Sequence, residues 1–259
     1  MTMMRPGTIG ITMAGLGSRF TKAGYTCPKY EIEVLGRPLF DWSLCGLNAF
    51  KDAGWEFTFA TRREESAIPF VTQRCATLGL TMGPVIELDG VTDGQATTAL
   101  YLAERSDQDA PFAVFNIDTF VAPDRLRPEL IDSELKGWVP CFDAPGDGWS
   151  FARVGEDGYV AELREKVRIS SHATIGFYWF ESARAYRTLY DRHFADGAGV
   201  EKGERYIAPM YNSLIQSDGR VRILDVPFEM VGMLGTPDQV TAFATHPPAS
   251  ALAALPTAS

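Results

Sequence analysis

Arg19 and Lys29 are the first residues of this chain whose placement points to chemistry. Arg19 closes the stretch Met13-Ala14-Gly15-Leu16-Gly17-Ser18, which follows the β-branched run Thr8-Ile9-Gly10-Ile11-Thr12. A buried strand that opens into a glycine-rich loop is a device for holding phosphate. Glycines let backbone N–H groups approach the oxygens, and an arginine adds a planar fork of donors. Lys29, after Pro28, stands where the chain can fold back over the same group.

Asp118 is the matching acidic residue. It ends the run Phe112-Ala113-Val114-Phe115-Asn116-Ile117, the pattern of a central parallel strand delivering polar groups at its carboxyl end. Asp118 reads either as a turn or capping residue or as a Mg²⁺ ligand, since that ion takes carboxylates together with substrate phosphates. With a phosphate loop on the first strand, the metal reading is preferred.

Other chemistries lack their residues. A dinucleotide fingerprint needs a third glycine where Phe20 stands, and a P-loop needs Gly-Lys-Ser/Thr. No Gly-x-Ser-x-Gly elbow is present. His172, His193 and His246 lack metal-ligand spacing, and His172 reads as a structural or rim residue. Taken alone, the run Glu162–Lys166 reads as a solvated charged face. Phe177-Tyr178-Trp179-Phe180 reads as a core strand.

Strand-like and helix-like segments alternate, which favours a layered α/β fold. Strands are expected at 8–13, 55–60, 85–88 and 112–118. Helices are expected from Pro38 to Gly54, over 64–79 and over 95–105. From about 138 to 180 the pieces turn antiparallel, with turn signals at Pro145-Gly146-Asp147-Gly148 and Glu156-Asp157-Gly158. Helices follow at 181–193 and 204–217, then two short strands within 221–233. The small-residue segment 246–259 is expected to lack structure.

The 259 residues carry a net charge of −9, which argues against nucleic acid as a partner. Hydrophobic residues make up 46% and charged residues 22%, enough for a sizeable core. No apolar run approaches membrane-spanning length, and the opening residues lack the apolar core of a signal peptide. Cys27, Cys45, Cys75 and Cys141 are widely spaced and read as reduced thiols. The expectation is a cytoplasmic protein that binds no membrane; a homo-oligomer stays open.

Together the motifs resemble the nucleotidyltransferases that activate sugar phosphates, the nucleoside-diphosphate-sugar pyrophosphorylases. The resemblance spans about residues 8–240 as a series of ordered blocks. They are Met13–Arg19, Cys27-Pro28-Lys29, Asp93-Gly94-Gln95-Ala96, Asn116-Ile117-Asp118, Glu165-Lys166, Thr174–Tyr178 and Gly235-Thr236-Pro237-Asp238. The variant Met-Ala-Gly-Leu-Gly is similar to a branch in surface-polysaccharide pathways. The resemblance implies a Rossmann-like three-layer α/β/α fold with a mixed, mainly parallel sheet and a smaller antiparallel acceptor-binding lobe. One domain would cover 1–245, with the nucleotide part at about 1–136 and the acceptor part at about 137–245.

The implied activity transfers a nucleoside monophosphate from a triphosphate to a phosphorylated acceptor, a sugar 1-phosphate first of all, with Mg²⁺ and release of pyrophosphate. The resemblance implies catalytic roles for Arg19, Lys29 and Lys166. Nucleotide contacts fall to Ala14, Gly15, Leu16, Gly17, Ser18, Gly94, Gln95 and Asn116. Acceptor contacts fall to Glu165, Thr174 and Gly176, and the metal to Asp118. One block departs: where the family often has a second metal aspartate, this chain has Met233, with Asp225 and Glu229 the nearest acidic residues. The alternatives are a cytidylyltransferase acting on a non-sugar phosphate, a glycosyltransferase of related architecture, and a non-catalytic nucleotide or sugar-phosphate sensor.

Overall fold

The computed structural model of the protein describes residues 4–254. Its centre is a ten-stranded mixed sheet. Along the chain come β1 (Thr8–Thr12), α1 (Ser18–Lys22), the ribbon β2 (Glu33–Val34) and β3 (Arg37–Pro38), α2 (Leu39–Leu44) and α3 (Asn48–Asp52). Next are β4 (Glu56–Arg62), α4 (Ile68–Leu78), β5 (Thr81–Leu88), α5 (Gln95–Glu104), β6 (Phe112–Asn116) and β7 (Thr119–Val121). The second part runs β8 (Gly137–Asp143), β9 (Ser150–Val154), β10 (Val160–Glu165), β11 (His172–Thr174), β12 (Phe177–Phe180) and α6 (Ala183–His193). It ends with α7 (Met210–Ile215), β13 (Val221–Asp225), β14 (Val231–Met233), α8 (Pro237–Thr245) and α9 (Ala249–Ala253).

The strand order is β10-β9-β11-β8-β12-β6-β1-β4-β5, with β13 added beside β8. Neighbours within β6-β1-β4-β5 run parallel, and β12 joins β6 antiparallel. The antiparallel lobe is therefore not a separate sheet; it continues the same one. Period-two side chains explain how one sheet seeds two cores. In β6 and β12, Ala113, Phe115, Phe177 and Trp179 pack on one face with Phe40 and Leu44 of α2, Phe50 of α3 and Val71 of α4. Phe112, Val114, Tyr178 and Phe180 pack on the other with Leu102 of α5, Tyr186 of α6 and Tyr211 of α7. This is the expected three-layer fold with a mixed sheet and flanking helices.

Sequence expectations fail at three places. The helix expected over 204–217 begins only at Met210, and 204–209 is irregular backbone lining the cavities described below. Residues 237–245, assigned no element from sequence, form α8, capped by Thr236 Oγ1 accepting from the Gln239 backbone N–H at 3.2 Å. In the segment 246–259, expected to lack structure, Ala249–Ala253 is helical and buries Ala251. Pro247-Pro248 mark its start, and Ala251 joins the cluster that contains Phe20, Trp42 and Phe243. Residues 255–259 of that segment lie outside the described residues. No helix among the described residues is long and apolar enough to cross a membrane.

Candidate active site

The carboxyl ends of β1 and β6 sit side by side, with Thr12 in register with Asn116. Gln95, the first residue of α5, ties them together: its Nε2 donates to Thr12 Oγ1 at 3.0 Å and to Asn116 Oδ1. Two cavities meet at this strut, both lined by Gln95, Asn116 and Asp118.

The first cavity, ≈ 490 Å³, is walled by the loop Ala14–Ser18, Lys29 and the segment Val91–Gln95. Every nucleotide-binding candidate thus comes to one space. Gly94 is there for a steric reason. Its φ is 145°, and a Cβ would collide with the Arg205 backbone nitrogen and carbonyl. Two backbone bonds bracket it, Arg205 N–H to Asp93 O (2.8 Å) and Ala96 N–H to Arg205 O (3.0 Å).

The second cavity, ≈ 600 Å³, is lined by Arg19, Ser150, Glu165, Lys166, Thr174, Gly176, Tyr206 and Gln239, among others. Gly176 (φ 82°) lies against the Asn116 amide so closely that a Cβ would overlap it. The Asn116 backbone N–H also donates to Gly176 O at 3.2 Å, locking β12 to β6 at the junction. Lys166 Nζ lies 3.2 Å from Glu165 Oε1 and donates to Tyr206 Oη at 2.9 Å, 4.6 Å from that ring's centre. Glu165 Oε2 accepts from Ser150 Oγ. Burial pulls the Lys166 pKa down, but the Tyr206 hydroxyl and the Glu165 carboxylate outweigh it and hold the ammonium above the usual lysine value. Lys166 itself sits at φ 52°, a left-handed conformation that costs a non-glycine residue about 1–3 kcal/mol and points to a functional constraint. The charged run that looked like a solvated face therefore ends inside a site.

Arg19 is exposed on the wall of the second cavity, and its side chain makes no hydrogen bond or ion pair with any described residue. Lys29 is engaged: its Nζ lies 3.0 Å from Asp118 Oδ2, both side chains mostly buried. Lys29 and Asp118, 89 residues apart in sequence, meet at the point where the cavities join.

The departure at Met233 is visible as well. Met233 pairs with Thr119 between β14 and β7, and it lines the second cavity with Gly235 and Gln239. Asp225 is held by His172 Nδ1 at 2.9 Å, and neither Asp225 nor Glu229 lines either cavity. Among the described residues no cluster of three or more His, Cys, Asp or Glu forms a ready metal cage. Sequence reasoning missed Ser150, Tyr206 and Gln239. Tyr206 was hidden in a stretch read as helix, and Gln239 is the last residue of a Thr-x-x-Gln capping pattern, Thr236–Gln239, that was its available signal.

The central strand ends thus carry a glycine-rich loop, an arginine and an aspartate around two polar cavities. Comparison with solved structures gives the class, a nucleotidyltransferase. The nucleoside-diphosphate-sugar pyrophosphorylase from Vibrio cholerae RC9 is similar at 34% identity and TM-score 0.83, covering 92% of this chain and 100% of its own. The inositol-1-phosphate CTP transferase from T. maritima shares the fold at 12% identity and TM-score 0.75, over 98% of this chain and 99% of its own. The CTP:phosphocholine cytidylyltransferase from Streptococcus pneumoniae does so at 15% and 0.70, over 93% and 99%. No protein-family model matches the chain, and no curated protein matches it either. This chain belongs to the nucleoside-diphosphate-sugar pyrophosphorylase family.

Proposed function

We propose that the protein transfers a nucleoside monophosphate from a triphosphate to a sugar 1-phosphate and releases pyrophosphate. The observation that carries this reading is the meeting of two cavities at Gln95, Asn116 and Asp118, with cationic side chains on both sides of the junction. One cavity suits a nucleotide, with backbone N–H groups and Lys29. The other suits a phosphorylated, hydroxyl-bearing acceptor, with Lys166 for the phosphate and Glu165, Thr174 and Gln239 for hydroxyls.

In this reading an acceptor phosphate oxygen attacks the α-phosphorus in line as the bond to the β-phosphate oxygen breaks. The nucleophile is already ionised near neutral pH, so no general base is needed, and catalysis is positioning plus charge neutralisation. Arg19 neutralises the departing pyrophosphate, Lys29 the α-phosphate, and Lys166 holds the attacking phosphate. Asp118 offers one partly exposed carboxylate at the junction. That donor fits Mg²⁺, which completes its shell with substrate phosphates and water and would supply further neutralisation of the triphosphate. Asp118 would hold the ion beside Lys29, whose Nζ lies 3.0 Å from its carboxylate.

A second reading, cytidylyl transfer to a non-sugar phosphate, draws on the aromatic lining of the acceptor cavity by Trp149, Tyr178 and Tyr206. Rings beside a carboxylate suit a cationic head group. Both readings are tested by incubating the protein with each common triphosphate, Mg²⁺ and a panel of sugar 1-phosphates and amine-bearing phosphates. Pyrophosphate released only with a sugar 1-phosphate supports the first, and release only with an amine-bearing acceptor supports the second. Binding without turnover, or release of nucleoside diphosphate from a nucleotide sugar, sinks both.

A further inference from the structure

The stretch 203–208 belongs to both cavities. Gly203 and Glu204 wall the nucleotide side, while Tyr206, Ile207 and Ala208 wall the acceptor side. Arg205, between them, lines neither and faces away. It is the most constrained residue of the stretch. Its backbone brackets Gly94 through the two bonds described above. Its Nε lies 3.0 Å from Asp93 Oδ2, and its guanidinium donates to Tyr190 Oη. Tyr190 Oη lies 2.7 Å from Thr97 Oγ1, and that hydroxyl bonds Asp93 Oδ1. Asp93, Thr97, Tyr190 and Arg205 thus close a ring of three side-chain hydrogen bonds and one ion pair, the Arg205 Nε–Asp93 contact being ionic without a hydrogen bond. The guanidinium also lies 5.1 Å from the Phe194 ring centre, so α6 supports it from behind.

We propose that Arg205 is a positioning residue that couples the two substrate sites, clamping the nucleotide segment 93–96 to the backbone that carries Tyr206 and, through Tyr206, Lys166. The proposal rests on the transfer reading above. A nucleotide seated against 91–95 bears on the 203–208 stretch through this clamp, and the same stretch presents the Lys166–Tyr206 pair to the acceptor. A shift imposed by either ligand is then felt at the other site, and by linkage the two tightening factors are equal.

The test uses the triphosphate and acceptor selected by turnover. The affinity of each is measured by calorimetry with and without the other, the triphosphate being replaced by a non-hydrolysable analogue. Wild-type protein is expected to show reciprocal tightening of about 5-fold or more, the low end of common couplings. Arg205 and Tyr190 lie outside the two cavities that meet at Gln95, though both line a neighbouring one that shares Val91–Asp93 with the nucleotide side. Arg205→Gln and Tyr190→Phe lose most of that tightening and raise KM for both substrates, with melting midpoints close to wild type. The double variant is no worse than Arg205→Gln alone, because both act on one ring. Arg205→Lys keeps the charge but cannot bridge Asp93 and Tyr190, so it does not restore the coupling. Retained tightening in Arg205→Gln, a KM change for one substrate only, or additive losses would each overturn the clamp. An active wild type without reciprocal tightening overturns the clamp alone; a wild type that releases no pyrophosphate overturns the transfer reading as well.

Discussion

To the first cavity the chain offers mainly main-chain groups of the loop Ala14–Ser18 and the turn at Gly94. Around the second cavity most polar side chains other than Arg19 are already paired: Lys166 with Glu165 and Tyr206, Glu165 with Ser150, Thr174 with Tyr178, and the Gly235 backbone N–H with Gln239 Oε1. The difference follows from the sheet. The nucleotide side uses ends of parallel strands, where loops are exposed and backbone donors are unspent. The acceptor side uses antiparallel strands, whose neighbouring side chains meet across the sheet and satisfy one another. One half waits for its ligand to supply partners; the other is organised beforehand.

The largest test removes an unpaired cation and a paired one. Arg19→Ala and Lys166→Ala should each lower turnover by about 10²–10³-fold, the scale for losing a transition-state donor. Only Lys166→Ala should also disturb the empty protein, visible as altered exchange of the Tyr206 and Glu165 neighbourhood by NMR. Equal behaviour of the two empty variants would break the contrast.

Next come the two steric glycines, one on each side of the junction. Gly94→Ala and Gly176→Ala place a side chain in left-handed backbone and against occupied space, so each should cost at least about 1–3 kcal/mol. Thermal melting checks the loss, and an unchanged midpoint would show that the close approaches are not structural requirements.

A smaller effect tests the prior pairing of Lys166. The raised pKa keeps the ammonium charged beyond the usual alkaline limit, so acceptor binding should persist to higher pH than an ordinary lysine allows. Tyr206→Phe removes a partner that raises that pKa, and the alkaline limb of kcat/KM should move to lower pH. A limb that stays put would detach Lys166 from acceptor binding. Smallest is Met233→Asp, which adds a second carboxylate beside the cavity. It should tighten Mn²⁺ binding to the nucleotide-free protein, read by electron paramagnetic resonance, with little change in fold.

How much was legible follows the same divide. The glycine loop, Arg19, Lys29 and the strand ending near Asp118 are local patterns, and they lie around the junction of the two cavities, Arg19 on one and the loop and Lys29 on the other. Tyr206 and Arg205 were not legible, because 203–209 carries residues compatible with a helix and is held irregular by backbone pairing to Asp93 and Ala96. The helix Ala249–Ala253 was missed for a similar reason. Its small residues have no periodic signal, and its Ala251 joins the cluster that contains Trp42 and Phe243.

By itself the sequence determined the layered α/β order, the phosphate loop and the identity of the charges, since periodicity, turn chemistry and residue type are local properties. The tertiary structure alone decided that Lys29 rests on Asp118, that Met233 and Gln239 line the second cavity, and that 203–208 joins the two cavities. Those facts depend on which distant backbones approach within hydrogen-bond distance, and local sequence pattern does not encode that approach.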